Sequence, residues 1–336
     1  MNPIYIHHFD THNQYKNHEN TSLIQFPHTS YTEEDELVRY NDRINYSKEY
    51  LTFEADTGNY LYLYVGIVFS NSNTSVGSDR YNRVLQECSD ITLYYSLGDD
   101  DEWVSFNPAI AGVNWSQTTG GTYITTSKRR IKFKGDNWHL DGADWYLRFF
   151  PVSSCIVYGN ILSIVDSQNF SNIYTVSNDI RFYYLFGITN DSATSYKGYL
   201  KTDKNKKLIL QLRTLTPSCY LGLFCNRTMI QYAPELPART LNVACYNNMF
   251  RECVNLLSAP ALPAMVLPER CYYRMFENCS KINYIDCKAI DISGQNCLYN
   301  WLKGVSELGT FIKNVNADWN IVGNSGIPNN WTVIYK

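Results

Sequence analysis

Asp99, Asp100, Asp101 and Glu102 stand in a row and form the densest carboxylate cluster of the chain. Such a cluster has two chemical uses, as a calcium ligand set or as a catalytic acid pair. Calcium loops space their ligands at alternate positions around a glycine, and this run does not. The two acids of a glycosidase face each other across a cleft, which neighbours on one hairpin tip cannot do. A solvated turn fits the run better. Five of the six histidines, His7, His8, His12, His18 and His28, fall at irregular spacing near the N-terminus with no cysteine partner beside them. They do not compose a metal site. His139 is the remaining one, so a Ser-His or Cys-His centre in the folded part would have to use it. No GxGxxG leading into a helix pattern, GxxxxGK[ST], HExxH or GxSxG is present. No catalytic, cofactor-binding or metal-ligating residue is therefore assigned, no cofactor is expected, and the chain is read as a non-enzyme.

The ten cysteines carry a different signal, and it organises the last third of the chain. CYLGLF, CYNNMF, CYYRMF and CLYNWL begin at Cys219, Cys245, Cys271 and Cys297, each 26 residues after the last. Other columns keep the same register: Leu215, Leu241 and Leu267; Phe224, Phe250, Phe276 and Leu302; Ile230, Leu256 and Ile282; Ala233, Ala259 and Ile285. Each unit reads as a short helical turn around CYxxMF, a bend, a brief extended piece and a proline-punctuated return. Pro234, Pro237, Pro260 and Pro263 forbid a continuous helix. One unit cannot bury its apolar side, and stacked neighbours can, which predicts a solenoid of 26-residue repeats. In the last unit Trp301-Leu302 replaces Met-Phe, as suits a terminal unit, and WTVIY near the end reads as a final strand in a closing cap.

Identical columns in a stack place small side chains one above the next, so Cys219, Cys245, Cys271 and Cys297, and likewise Cys253 and Cys279, read first as buried thiols. Inter-repeat disulfides are the second reading. Metal is the least favoured, because no CxxC pair occurs and the Cys/His sets lack zinc spacing. Reduced thiols suit synthesis in a reducing cytoplasm.

At these residues the pattern becomes specific. LPA…L…CYxxMFxxCxxL…AP, followed by WLxGVxxxGTFxKN and GIPxxWTV, resembles the BspA-like leucine-rich-repeat surface proteins of gut Bacteroides and of their crAss-like phages. The resemblance covers roughly residues 158 to 336. It implies surface display and partner binding without catalysis, on a cell surface or on a virion.

The elements ahead of the repeat are read as β. LTFEA, YLYLYVGIVF, the hairpin of Ile91–Tyr95 and Glu102–Phe106, TYITTS, RRIKFKG, WYLRFFPV and CIVYGNILSIV alternate with period 2 and are separated by turn signals. They predict a β-sandwich. Trp103, Trp115, Trp138 and Trp145 lie within it. Core packing is the commoner fate of tryptophan, and a sugar-stacking platform the functional one. Residues 1–48 have too few apolar positions for a core and are expected to be an extended docking arm. An F…Y…P.vSY…V.YN pattern there is similar to leaders of Bacteroides-phage proteins. The expected organisation is thus mainly β, with an arm (1–48), a β-sandwich module (49–157), a transition and N-terminal cap (158–211) and a leucine-rich-repeat-like solenoid with its C-terminal cap (212–336).

Charge and hydropathy narrow the partners. Net charge is −3, and the one basic cluster, Lys201, Lys204, Lys206 and Lys207, reads as a solvated turn, so nucleic acid is not expected. The longest apolar run, Tyr60 to Phe69, is about half of a membrane span, and the N-terminus has no signal-peptide pattern. The expected function is that of a virion surface protein, a head or tail fibre or decoration protein. Its arm would bind other virion proteins and its solenoid a host-surface glycan or protein. The alternative is a Bacteroides cell-surface adhesin or glycan-binding protein whose leader lies outside this sequence. Monomer and oligomer both stay open. For the binding face, Ile230, Leu256 and Ile282 and then Ala233, Ala259 and Ile285 should point inward. The residues one before the second column should point outward, because strand side chains alternate: Tyr232, Ser258 and Tyr284.

Overall fold

The structure is a computed structural model that describes residues 48–58, 60–69, 78–108, 118–142, 144–178, 180–189 and 196–336. The expected docking arm up to residue 47, with its five histidines, and Trp115 lie outside the described residues. What is described is mainly β, in three sheets.

Some strands of the first two sheets alternate and others are buried on both faces. In β6 (Arg130–Gly135) Ile131 and Phe133 are buried while Arg130, Lys132 and Lys134 are half-exposed. β1 (Leu51–Ala55) is buried along its whole length and lies between β6 and β8 (Cys155–Asn160), antiparallel to both. β3 (Leu93–Leu97) pairs with β6 on one side and with β4 (Val104–Phe106) on the other. The second sheet has β2 (Leu61–Phe69) between β5 (Thr118–Thr126) and β7 (Trp145–Pro151), again antiparallel. The two sheets meet through aromatic rings: Phe133 of β6 lies 4.9 Å edge-on from Phe149 of β7, and Phe53 of β1 stacks on Phe149 at 5.6 Å.

Two local features depart from the sequence reading. Residues Asp79–Glu87 form a helix, α1, in a region read as all β. Ser78 caps it, its Oγ accepting the Tyr81 N–H at 3.2 Å, and Tyr81, Val84, Leu85 and Cys88 supply a short apolar stripe at helical spacing. β8 was expected to run on to Val165 but stops at Asn160, whose side chain accepts the Leu162 N–H at 3.0 Å and starts a 3-10 turn over Ile161–Ile164. Two short parallel strands, β9 (Leu200–Lys201) and β10 (Leu208–Ile209), then dock against β8. Of the lysines read as a solvated turn, Lys204 is exposed, but two others are held in ion pairs. Lys206 forms an ion pair of 2.6 Å with Glu54, which is 0% exposed, and Lys201 is paired with Asp56.

The CYxxMF segments are not helical either. Every fourth residue has positive φ: Ala244, Asn248 and Glu252, then Arg270, Arg274 and Asn278. A left-handed residue at that interval ends each helical turn before a second can form. The result is a ribbon of consecutive turns. Its N–H groups alternate in direction. Tyr220, Gly222 and Phe224 donate to Cys245, Asn247 and Met249 of the next segment, at 2.8, 2.8 and 2.9 Å, while Leu223 and Cys225 donate three residues back, to Tyr220 and Gly222, at 3.2 and 3.0 Å. The same two directions recur one segment on: Tyr246, Asn248 and Phe250 donate to Cys271, Tyr273 and Met275, while Asn247 and Met249 donate back to Ala244 and Tyr246. Backbone donors are thereby used without a helix or a strand.

Side chains follow the same stacking. Phe224, Phe250 and Phe276 lie ring on ring at 5.6 Å and 5.6 Å, and Tyr220, Tyr246 and Tyr272 at 5.9 and 6.0 Å. In the last segment Leu298 takes the tyrosine position, and the Trp301 ring comes across to lie 6.0 Å from Tyr272. Beyond it β11 (Tyr284–Cys287), β12 (Gly309–Lys313) and β13 (Trp331–Tyr335) form a parallel three-stranded sheet. One apolar cluster runs from Leu51 and Phe53 through Phe186 and Phe250 to Trp331. Among the described residues no helix is long and apolar enough to cross a membrane.

Candidate functional site

The expected inward columns divide. Ile230, Leu256 and Ile282 are 0% exposed, and Ile285 is also buried, whereas Ala233 and Ala259 are half-buried. Of the candidate face, Tyr284 is 37% exposed, Ser258 is exposed and Tyr232 is half-buried. Only Tyr284 lies on a strand, at the start of β11. The prolines at 234, 237, 260 and 263 withhold N–H donors from the equivalent pieces, so Tyr232 and Ser258 sit on connections and not on stacked strands. These connections still touch, the Leu257 N–H donating to the Gln231 carbonyl at 3.0 Å.

Tyr232 has the richer surroundings. It lines a cleft of about 280 Å³ with Asp56, which follows β1, Lys201 of β9, and Asp203, Lys204 and Gln231. The Thr202 hydroxyl accepts the Gln231 and Tyr232 N–H groups at 3.2 and 3.0 Å and ties this connection to β9. Asp56 is held by Lys201 and by the Ser154 hydroxyl, at 3.3 Å from the latter. An aromatic ring beside carboxylates, ammoniums and an amide is the chemistry of hydroxyl-rich ligands: the ring covers an apolar face and the polar groups take hydroxyls. Sequence reasoning found Tyr232 but not the cleft, because Asp56 and Lys201 are 145 residues apart.

The other residues singled out by type are spoken for. Asp99, Asp100 and Asp101 pair with Arg130, Lys128 and Lys132 around the hairpin tip, an exposed arrangement with no facing acid. Trp145 is 1% exposed and donates to Glu87 at 2.9 Å. Trp103 is half-buried, with the Lys134 ammonium 4.3 Å from its ring centre and Tyr50 packed edge-on. Trp138 is 64% exposed and its indole N–H is held by Asp90 at 2.8 Å. His139 Nε2 lies 3.0 Å from the Glu87 carbonyl. The nearby Cys88 thiol donates to the Val84 carbonyl at 2.9 Å, and burial pushes it up to about 12, so it is not a thiolate nucleophile at neutral pH.

The chain matches no family model, no curated protein and no solved structure. Its chemistry is therefore read from its own side chains.

All ten cysteines are free and buried. Cys253 and Cys279 donate to the Phe224 and Phe250 carbonyls, at 3.2 and 3.0 Å. Burial pushes Cys219 up to about 12 and Cys225 up to about 11. They pack as small apolar groups that also satisfy a carbonyl. Among the described residues no group of three or more His, Cys, Asp or Glu side chains could hold a metal ion.

Proposed function

We propose that this chain is a non-enzymatic structural and recognition protein of a phage virion surface, a head or tail fibre or decoration protein. On this reading its last third is a leucine-rich-repeat-like solenoid of 26-residue repeats resembling the BspA-like proteins. Residues 1–48 dock it to other virion proteins, and the repeat face meets a host-surface glycan or protein. The observation that carries the reading is the turn-on-turn stacking of Tyr220, Tyr246 and Tyr272 and of Phe224, Phe250 and Phe276. Stacking of this kind builds a long surface whose binding positions recur with the period of the chain. The cleft at Tyr232 supports a hydroxyl-rich ligand, and ten free buried thiols support synthesis in a reducing compartment.

The test has two parts. Tyr232→Ser and Tyr284→Ser, singly and together, should each leave the thermal transition nearly in place, within about 1 kcal/mol for such partly exposed sites. Binding to host cells or to their purified surface glycans should weaken at least tenfold in the double variant. Unchanged binding with unchanged folding rejects this face. Antibody labelling of particles and host cells addresses the setting: label on virions supports the reading, and label on the bacterial envelope replaces it with a cell-surface adhesin.

A further inference from the structure

On β7 the side chains of Trp145, Leu147 and Phe149 enter the core, so Tyr146, Arg148 and Phe150 lie on the other face of that sheet. Across β2 the register partner of Arg148 is Gly66, which puts no side chain opposite it. The Arg148 guanidinium lies 4.5 Å from the Phe150 ring centre, and that of Arg227 lies 5.1 Å from the same ring. Arg227 is 0% exposed. It donates from Nε to the Phe186 carbonyl at 2.6 Å and from Nη1 to the Tyr196 carbonyl at 2.9 Å, and its buried Nη2 has no partner. The buried Nε and Nη2 of Arg148 have no partner either.

This pair contrasts with the buried carboxylates of the described residues. The buried carboxylates Glu54, Asp141 and Glu277 are all matched by cations, by Lys206 and Arg129, by Arg181, and by Arg251 and Lys303 respectively. Among the described residues no carboxylate pairs with Arg148 or Arg227. Burial, and then the charge of Arg148, push the Arg227 guanidinium down to about 9, so it is still cationic at neutral pH, and burial likewise lowers Arg148 from its ordinary value. Two like charges withdrawn from water with open N–H groups call for an anion. The chemistry of the free edge says which kind. Nε and Nη2 of one guanidinium present two parallel N–H bonds, the fork that matches the two oxygens of a carboxylate. The surrounding rings, Tyr64 against Tyr123 at 5.2 Å and Phe150 against Tyr196 at 5.1 Å, give that anion an aromatic rim.

We propose that Arg148 and Arg227 form an anion site that binds a carboxylate group, with Arg148 as the bidentate partner and Arg227 Nη2 as the inner donor. The carboxylate comes either from an acidic sugar or from a small free carboxylate, and the probes tell these apart. Acetate, glucuronate and glucose are titrated into the full chain at constant ionic strength held with chloride, and binding is read by calorimetry and by the thermal transition. Acetate and glucuronate should bind and raise the transition, and glucose should not. Glucuronate binding at least tenfold tighter than acetate identifies an acidic sugar, and equal affinity identifies a free carboxylate. Arg148→Gln should lose both responses. Arg148→Lys, which keeps the charge and loses the fork, should fold and bind at least tenfold more weakly. The proposal is overturned if neither anion acts beyond chloride, or if Arg148→Gln responds like the native chain.

Discussion

Glu54 ties β1 electrostatically to the segment that precedes β10. It is 0% exposed, lies 2.6 Å from Lys206 and 2.7 Å from Arg129, and accepts the Tyr158 hydroxyl at 2.9 Å. Burial alone would raise its pKa. The hydrogen bonds from Lys206 and Tyr158, with the charges of Lys206 and Arg129, outweigh that and hold the carboxyl below its ordinary range. A depressed carboxylate stabilises the fold above its unfolded pKa, and that contribution is lost as pH falls through the folded value. Urea midpoints of the native chain should therefore begin to drop as pH falls below the ordinary glutamate pKa of 4.5 and go on dropping through the lowered folded value. Glu54→Gln should cost about 3–5 kcal/mol at pH 7, because it leaves buried cations unmatched, and it should flatten this part of the pH profile. Parallel profiles for the two proteins would show that Glu54 is not the group responsible. Nothing in the sequence marks Glu54, since its partners come from the residue before β6, from β8 and from the segment before β10.

The turn ribbon is the element the sequence reading described least well, and its backbone sets two expectations. Asn248 sits at φ 54° and donates from its side chain to Asn247 at 2.8 Å. Asparagine tolerates this region and a β-branched residue does not. Asn248→Val should cost about 1–3 kcal/mol, while Asn248→Gly should stay within about 0.5 kcal/mol, as measured by chemical denaturation. A similar cost for both would mean that the side-chain hydrogen bond matters and the backbone does not. The stacked rings give the second expectation. Phe250 is 0% exposed between Phe224 and Phe276, and Phe250→Ala should cost about 3–5 kcal/mol. Leu302→Ala, at the last position of that column, should cost less, since less side chain is removed. Equal losses in the two variants would contradict ring stacking as the source of the difference.

For the whole molecule the decisive feature is that one apolar cluster joins the first two sheets to the turn ribbon, through Phe53, Phe186, Phe224 and Phe250. Phe149 and the Leu185 carbonyl share a backbone hydrogen bond of 2.8 Å at the same junction. A shared core predicts one cooperative transition. Cys155 in β8 and Cys271 in the ribbon are both buried, so each reports on its own end. Labelled with a thiol reagent along a urea series and read by mass spectrometry, the two should become reactive at the same midpoint. Midpoints that differ clearly would mean that the two ends unfold separately in spite of the shared rings.

Local pattern was enough for much of this architecture. Strand-like runs marked most of the strands from Leu51 to Asn160, by alternation in β6 and by nearly unbroken apolar residues in β2, but they did not mark the helix at Asp79–Glu87. The recurrence at 26 residues determined which side chains lie on one another, from Tyr220 through Tyr272 and from Phe224 through Phe276. It did not determine the backbone that carries them. Positive φ at Ala244 or Arg274 has no signature in residue type, and the choice of turns over a helix is made by N–H groups that find carbonyls 25 residues away. The candidate site divides in the same way. Spacing alone picked out Tyr232, Ser258 and Tyr284, but only the fold brings Asp56 and Lys201 to Tyr232 and sets Arg227 beside Arg148 against Phe150. Charges meet by tertiary distance, and separation along the chain carries no trace of that.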